Sequence, residues 1–153
     1  MCSNCDHTIH GRHHHFGWDR SIPPVETVAP GERVHFTCLD SSGGQLSKDS
    51  TVADLGTLSF DRINPVTGPI HIDGAEPGDV VKVTIEAFEP SGWGWTANIP
   101  GFGLLADQFP DPALHVWSYD ADGMGPAAYG AMAKVPLKPF AGTIGLAPAE
   151  PGL

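Results

Sequence analysis

The sequence lacks any apolar run long enough to cross a bilayer, and its N-terminus lacks the basic-then-apolar order of a secretion signal, so the expected compartment is the cytoplasm. It is short of positive charge. Eight lysines and arginines stand against 18 acids, and the formal net charge of −10 opposes binding to nucleic acid or to an anionic membrane surface. A neutral small substrate or a cation fits that balance better. The 3 cysteines are an odd number and do not make a disulfide framework. Nucleophile signatures are missing as well, since neither a Gly-x-Ser-x-Gly elbow nor a Ser-x-x-Lys occurs. A hydrolase built on this chain is therefore expected to activate water. No segment carries helical periodicity over an ordinary helix length.

What the chain has in abundance is turn residues, 19 glycines and 15 prolines among 153 residues. They imply short strands joined by turns, and one domain over residues 1–153 with residues 1–12 as a loose N-terminal arm. Val25–Val28 and Arg33–Leu39 read as strands, the second burying Val34, Phe36 and Cys38 and turning His35 and Thr37 outward. Ser50–Leu58 suits a short helix and Pro69–Asp73 a strand with Ile70 and Ile72 on one side. Val81–Phe88 is the most regular strand pattern, with Val81, Val83, Ile85 and Ala87 alternating with Lys82, Thr84 and Glu86. Leu114–Tyr119 offers a further strand. The sum is an all-β fold, expected as an antiparallel, jelly-roll-like sandwich with long Gly-rich loops.

Three stretches carry candidate chemistry. Ser91–Phe109, SGWGWTANIPGFGLLADQF, keeps neither strand nor helix periodicity and reads as a folded loop. Its glycines and aromatics, Trp93 and Phe102 among them, suit the wall of a substrate site, with Asp107, or a group outside this chain, as the catalytic acid; the alternative is that Trp93, Trp95 and Leu104 plug the end of a sandwich. In Asp40–Leu46, Gly43 and Gly44 form either a substrate-binding cradle of N–H donors or a flexible turn. In an extended segment His13 and His15 share a face while His14 points away, so the pair, with Asp19, is a candidate divalent-metal site; a solvated polar arm is the alternative. Cys2 and Cys5 have half the spacing of a zinc knuckle, but no second pair follows, and a structural zinc is not expected.

HHHFGWD at His13, SSGGQL at Ser41, NPVTGPIHIDGAEPGD at Asn64, and GWGW followed by PGFGLLADQF from Gly92 together resemble the acetamidase/formamidase family, in order and with plausible gaps. The resemblance runs from about Thr8 to the terminal PFAGTIGLAPAEPG. It implies hydrolysis of formamide, acetamide or similar short linear amides to acid and ammonia by an oligomeric β-sandwich enzyme, with a divalent metal such as zinc or calcium as cofactor. It also places His15, Gly43, Gly44, Asn64, Gly68, Gly78, Gly103 and Asp107 on family motif positions, and His35, His71 and His115 on variable ones. Family members continue into a second half whose acidic, Gly- and His-containing motif is expected to complete the site. The sequence therefore reads as the N-terminal half of such an enzyme, as a subunit completed by a complementary C-terminal half, or as a catalytically inactive binding or assembly module of the same fold.

Overall fold

The computed structural model describes residues 4–122 and 125–150. Its regular structure is strand, with 3₁₀ turns at Val52–Thr57 and Phe60–Arg62 as the helical pieces among the described residues. The strands are β1 (His7–Ile9), β2 (His14–His15), β3 (Glu26–Val28), β4 (Val34–Phe36), β5 (Val66–Thr67), β6 (Ile70–Ile72), β7 (Trp93–Asn98), β8 (Ala113–Ser118), β9 (Ala127–Tyr129) and β10 (Ala133–Val135). The all-β expectation holds. The ladders are mixed, however: β2 with β5, β7 with β8 and β9 with β10 are antiparallel, whereas β1 with β4 and β3 with β6 are parallel.

The chain divides into two compact units. Unit one comprises Met1–Gly44, Phe60–Thr84 and Gly142–Leu153, and holds β1 to β6 around Ile9 and Val28, which are 2% and 5% exposed. Unit two comprises Gln45–Ser59 and Ile85–Ala141, and holds β7 to β10 with Leu46, Leu55 and Ala127 buried. Its 3₁₀ turn starts where Asp54 accepts hydrogen bonds from the Thr51 N–H at 2.6 Å and the Thr51 hydroxyl at 3.1 Å. The carboxylate satisfies the open amide at the start of the turn, and the two bonds hold the Asp54 carboxyl below its usual pKa.

Several expectations are corrected here. From His7 the N-terminal arm is a strand paired with β4, so it is not loose. Cys38 is an exposed free thiol and Phe36 is exposed as well. For Cys38 the reason is that β1 runs out at Ile9, opposite Phe36, so the ladder does not reach it; the Thr37 hydroxyl accepts the Gly11 N–H at 2.7 Å just beyond the strand. Cys5, by contrast, is disulfide-bonded; Cys2 lies outside the described residues. Trp93–Asn98 is a strand where a loop was expected. Val81–Phe88, the most regular pattern in the sequence, joins no ladder among the described residues.

β1, β3 and the turn at Ala29–Glu32 are tied by one side chain. His7 bonds the Glu26 carboxylate through Nδ1 and the Glu32 Oε2 through Nε2 at 2.9 Å, while Glu32 also accepts the Ala29 N–H at 2.6 Å and Asp6 accepts the Arg33 N–H at 2.8 Å. The Glu26 bond, then the Glu32 bond, raise the His7 pKa above its ordinary 6.5. The Ala29 N–H, then His7, lower that of Glu32. A raised histidine contributes its stability in full below its unfolded value and loses it as pH climbs through the folded value. The melting temperature of the chain is expected to fall as the buffer is taken from below pH 6.5 into the alkaline range, and His7→Gln to remove that dependence; a parallel pH profile in the variant would exclude His7 as its source.

Candidate functional site

In unit two the site is built on the β7–β8 ladder. Antiparallel pairing sets Gly94 opposite Trp117 and Thr96 opposite His115, so these four share a face. Gly94 has no side chain, and a Cβ placed there meets nothing within 4 Å. The result is an open, largely apolar hollow of about 240 Å³ along Trp93, Gly94 and Trp95, walled by Trp117, Tyr119 and Leu137. The Trp117 indole is fixed by donating Nε1–H to the Thr96 hydroxyl at 2.8 Å. Beside it His115 lies edge-on to Trp117 and Tyr129, with ring centroids 4.3 and 4.5 Å away, and its Nε2 is buried without a hydrogen-bond partner. His115 was expected to fall on a variable position and was not a candidate site residue. Its signal was positional, a histidine two residues before a tryptophan on a strand, which places both rings on one face.

The chain between β7 and β8 carries two of the other expected site residues. Asn98, the last residue of β7, donates its side-chain amide to the Phe109 carbonyl at 2.8 Å and the Asp111 carbonyl at 2.6 Å, closing the loop at its neck. Beyond this neck Asp107 is exposed, Phe102 is 61% exposed and Leu104 fully so. Leu104 therefore plugs nothing within the chain. Trp93 is held at the base, its carbonyl accepting the Ser91 hydroxyl at 2.9 Å and the Tyr119 hydroxyl at 3.3 Å. Trp93, Phe102 and Asp107 thus belong to one ladder and its connecting loop.

In unit one the structure brings three sequence blocks together through the backbone. β2 pairs His14 with Thr67 and His15 with Val66, the Gly68 N–H donates to the His13 carbonyl at 2.9 Å, and the Asn64 N–H donates to the Ser41 carbonyl at 2.8 Å. Asn64 takes a positive φ of 53° to make this turn. Ser42 is fully buried at the junction. The N–H donors of the SSGG segment are engaged with Asp40: its carbonyl accepts from Gly43, and its carboxylate accepts from Ser42 and Gly44, each at 2.9 Å. In this fold Asp40 fills the concavity that Gly43 and Gly44 form, and both glycines take positive φ to do so.

His13 and His15 are part-buried and His14 exposed, the alternation expected of an extended segment. The His15 ring packs edge-on against Trp18 at 6.0 Å, and its Nδ1 is buried with no hydrogen-bond partner. Asp19 spends its Oδ1 on the Ser21 N–H at 2.8 Å. His13, His15 and Asp19 do not form a ligand set: among the described residues no group of three or more His, Cys, Asp or Glu side chains is placed to hold a metal ion. A catalytic zinc normally takes three protein ligands and an open position, so the donors described here do not fit one by themselves, and no chemistry is derived through it.

A model of the Acetamidase/Formamidase family matches residues 3–152. A formamidase of Methylophilus methylotrophus is 32% identical over 120 residues, covering 74% of this chain and 28% of that protein. An acetamidase of Mycolicibacterium smegmatis is 30% identical over 118 residues, covering 69% of this chain and 29% of that protein. Among solved structures, a predicted acetamidase/formamidase of Thermoanaerobacter tengcongensis superposes with a TM-score of 0.83 at 29% identity, covering 94% of this chain and 46% of that one. The chain thus spans less than a third of these curated relatives and just under half of the solved one. With a match over nearly its whole length, the chain belongs to the acetamidase/formamidase family.

Proposed function

We propose that this chain supplies part of the active site of a cytoplasmic hydrolase that converts short linear amides, formamide and acetamide, to the carboxylic acid and ammonia. The observation that carries the reading is the family match over residues 3–152. The formamidase and acetamidase names of the relatives point to the substrate class. In this reading the exposed Asp107 protonates the departing amine, and Trp93 and Phe102 form an apolar wall that keeps bulk water from the small substrate. The SSGG segment has its own N–H groups bonded to Asp40, and no oxyanion contact is assigned to it in this reading.

The resemblance brings a divalent cation, zinc or calcium, into the reading. His13, His15 and Asp19 do not by themselves supply a ligand set for it among the described residues.

The test is ammonia release from formamide and acetamide by the chain alone and by the chain mixed with a polypeptide spanning the rest of a relative, each with and without zinc or calcium. Activity in the mixture alone assigns a partial site. Release by the isolated chain assigns a self-sufficient one. No release from any combination removes the hydrolase reading and leaves a binding or assembly module.

A further inference from the structure

We infer that Trp18 is a positioning residue for His15, and that residues 142–150 are a strap that holds Trp18 in place. The contact stands without the amide reading. Only its bearing on catalysis, through a histidine on a family motif position, rests on that reading.

His15 lies in β2, where its main chain pairs with Val66, but its side chain is held in another way. The ring Nδ1 is buried and makes no hydrogen bond within the protein, so packing orients the imidazole. Trp18 supplies that packing. The two rings meet edge to face, with centroids 6.0 Å apart and planes at 83°. Trp18 must itself be fixed for this to work, since an indole free to swing leaves the His15 ring free as well.

What fixes it comes from the far end of the described chain. Residues 142–150 join no ladder among the described residues, and Ile144 and Leu146 are 57% and 62% exposed, so their side chains do not seat the segment. Its main chain does, at two points. Gly145 lies so close to Trp18 that a Cβ there would come within 2.9 Å of ring atoms Cζ3 and Cη2 and 3.4 Å of Cε3. Arg20 donates from its guanidinium to the Ala149 carbonyl, which ties the strap down two residues beyond Trp18. All of these residues belong to unit one.

Position 145 needs glycine for this approach and not for its backbone. Its φ is not positive, so alanine there carries no left-handed strain, and the Trp18 ring is what a Cβ meets. Gly142 supplies the contrast. It also lacks a positive φ, yet a Cβ on it meets nothing within 4 Å. In Gly145→Ala either the strap lifts or the indole moves aside, and both loosen the His15 ring.

The test is carbethoxylation of the full chain by diethyl pyrocarbonate at fixed pH, read by fragment-ion mass spectrometry as the ratio of His15 to His14 modified. His14 is the internal reference, because it is exposed and its ring is held by the Gly11 carbonyl and Phe16, away from the strap. Gly145→Ala is expected to raise the ratio about tenfold by favouring local opening, with little change in the urea midpoint, and Gly142→Ala to leave it unchanged. Arg20→Gln removes the second anchor without a clash and is expected to raise it too. Trp18→Ala is expected to raise the ratio at least as far as Gly145→Ala does. Adding Gly145→Ala to Trp18→Ala is expected to change nothing more, since the Cβ then meets no ring. An unchanged ratio in Gly145→Ala, or in Arg20→Gln should the alanine variant fail to fold, overturns the proposal. So does an equal rise in Gly142→Ala, or a further rise on adding Gly145→Ala to Trp18→Ala, because the strap then acts by a route other than Trp18. The readout needs no turnover, so a preparation that hydrolyses no amide counts against the amide reading alone.

Discussion

Gly43→Ala is expected to destabilise unit one by at least about 3 kcal/mol, measured as a shift in the urea midpoint, and Gly44→Ala by only about 1 kcal/mol. Both glycines have a positive φ, 68° and 78°, so alanine at either position carries the same backbone strain. They differ in what surrounds them. A Cβ on Gly43 would sit 2.3 Å from the Arg62 carbonyl oxygen, whereas one on Gly44 meets nothing within 4 Å. The Arg62 oxygen is main chain and has little room to yield: two residues on, the Asn64 N–H is bonded to the Ser41 carbonyl, so the loop and the segment it touches are fixed to each other at close range. Relief of the clash breaks that bond, in a unit whose buried apolar core among the described residues is Ile9 and Val28. Equal losses in the two variants would mean that φ alone sets the cost and that the Gly43–Arg62 approach does not constrain the fold.

How far the sequence disclosed this arrangement depends on whether the relevant physics is local. Turn chemistry is local. The Gly43–Gly44 and Asn64 turns were legible because positive φ selects glycine and asparagine wherever the chain reverses tightly. The His13–His15 alternation was legible because it follows from the two-residue period of an extended chain. Burial is not local. Cys38 continues the pattern of Val34 and Phe36, but the ladder stops where β1 ends at Ile9, and nothing within Arg33–Leu39 encodes that limit. Trp93–Asn98 was obscured in the opposite way. Gly94 breaks the apolar alternation, and its place in a strand makes sense only with the Trp117 ring beside it, 23 positions away by register. The Gly43 and Gly44 donors looked available because their partner, Asp40, sits just upstream as an ordinary loop acid. His7 shows the same limit, since Glu26 and Glu32 reach it only after β1 and β3 are in place.

For the proposed chemistry the largest effect is expected at Asp107. Amide hydrolysis stalls unless the departing nitrogen is protonated, and a positioned acid supplies a factor of about 10² to 10⁴ in rate. Asparagine keeps the size and hydrogen-bonding reach of the side chain but has no proton to give. In whichever preparation hydrolyses formamide, Asp107→Asn is expected to lower kcat by that factor with little change in KM. Asn98→Ala provides the contrast. It deletes the two hydrogen bonds that close the loop at Phe109 and Asp111, each worth about 1 kcal/mol, without touching an ionisable group. That variant is expected to raise KM and lower kcat together, because the acid is still present but less well placed. If Asp107→Asn instead behaves like Asn98→Ala, raising KM and losing only a few-fold in rate, Asp107 shapes the loop and the proton comes from another group.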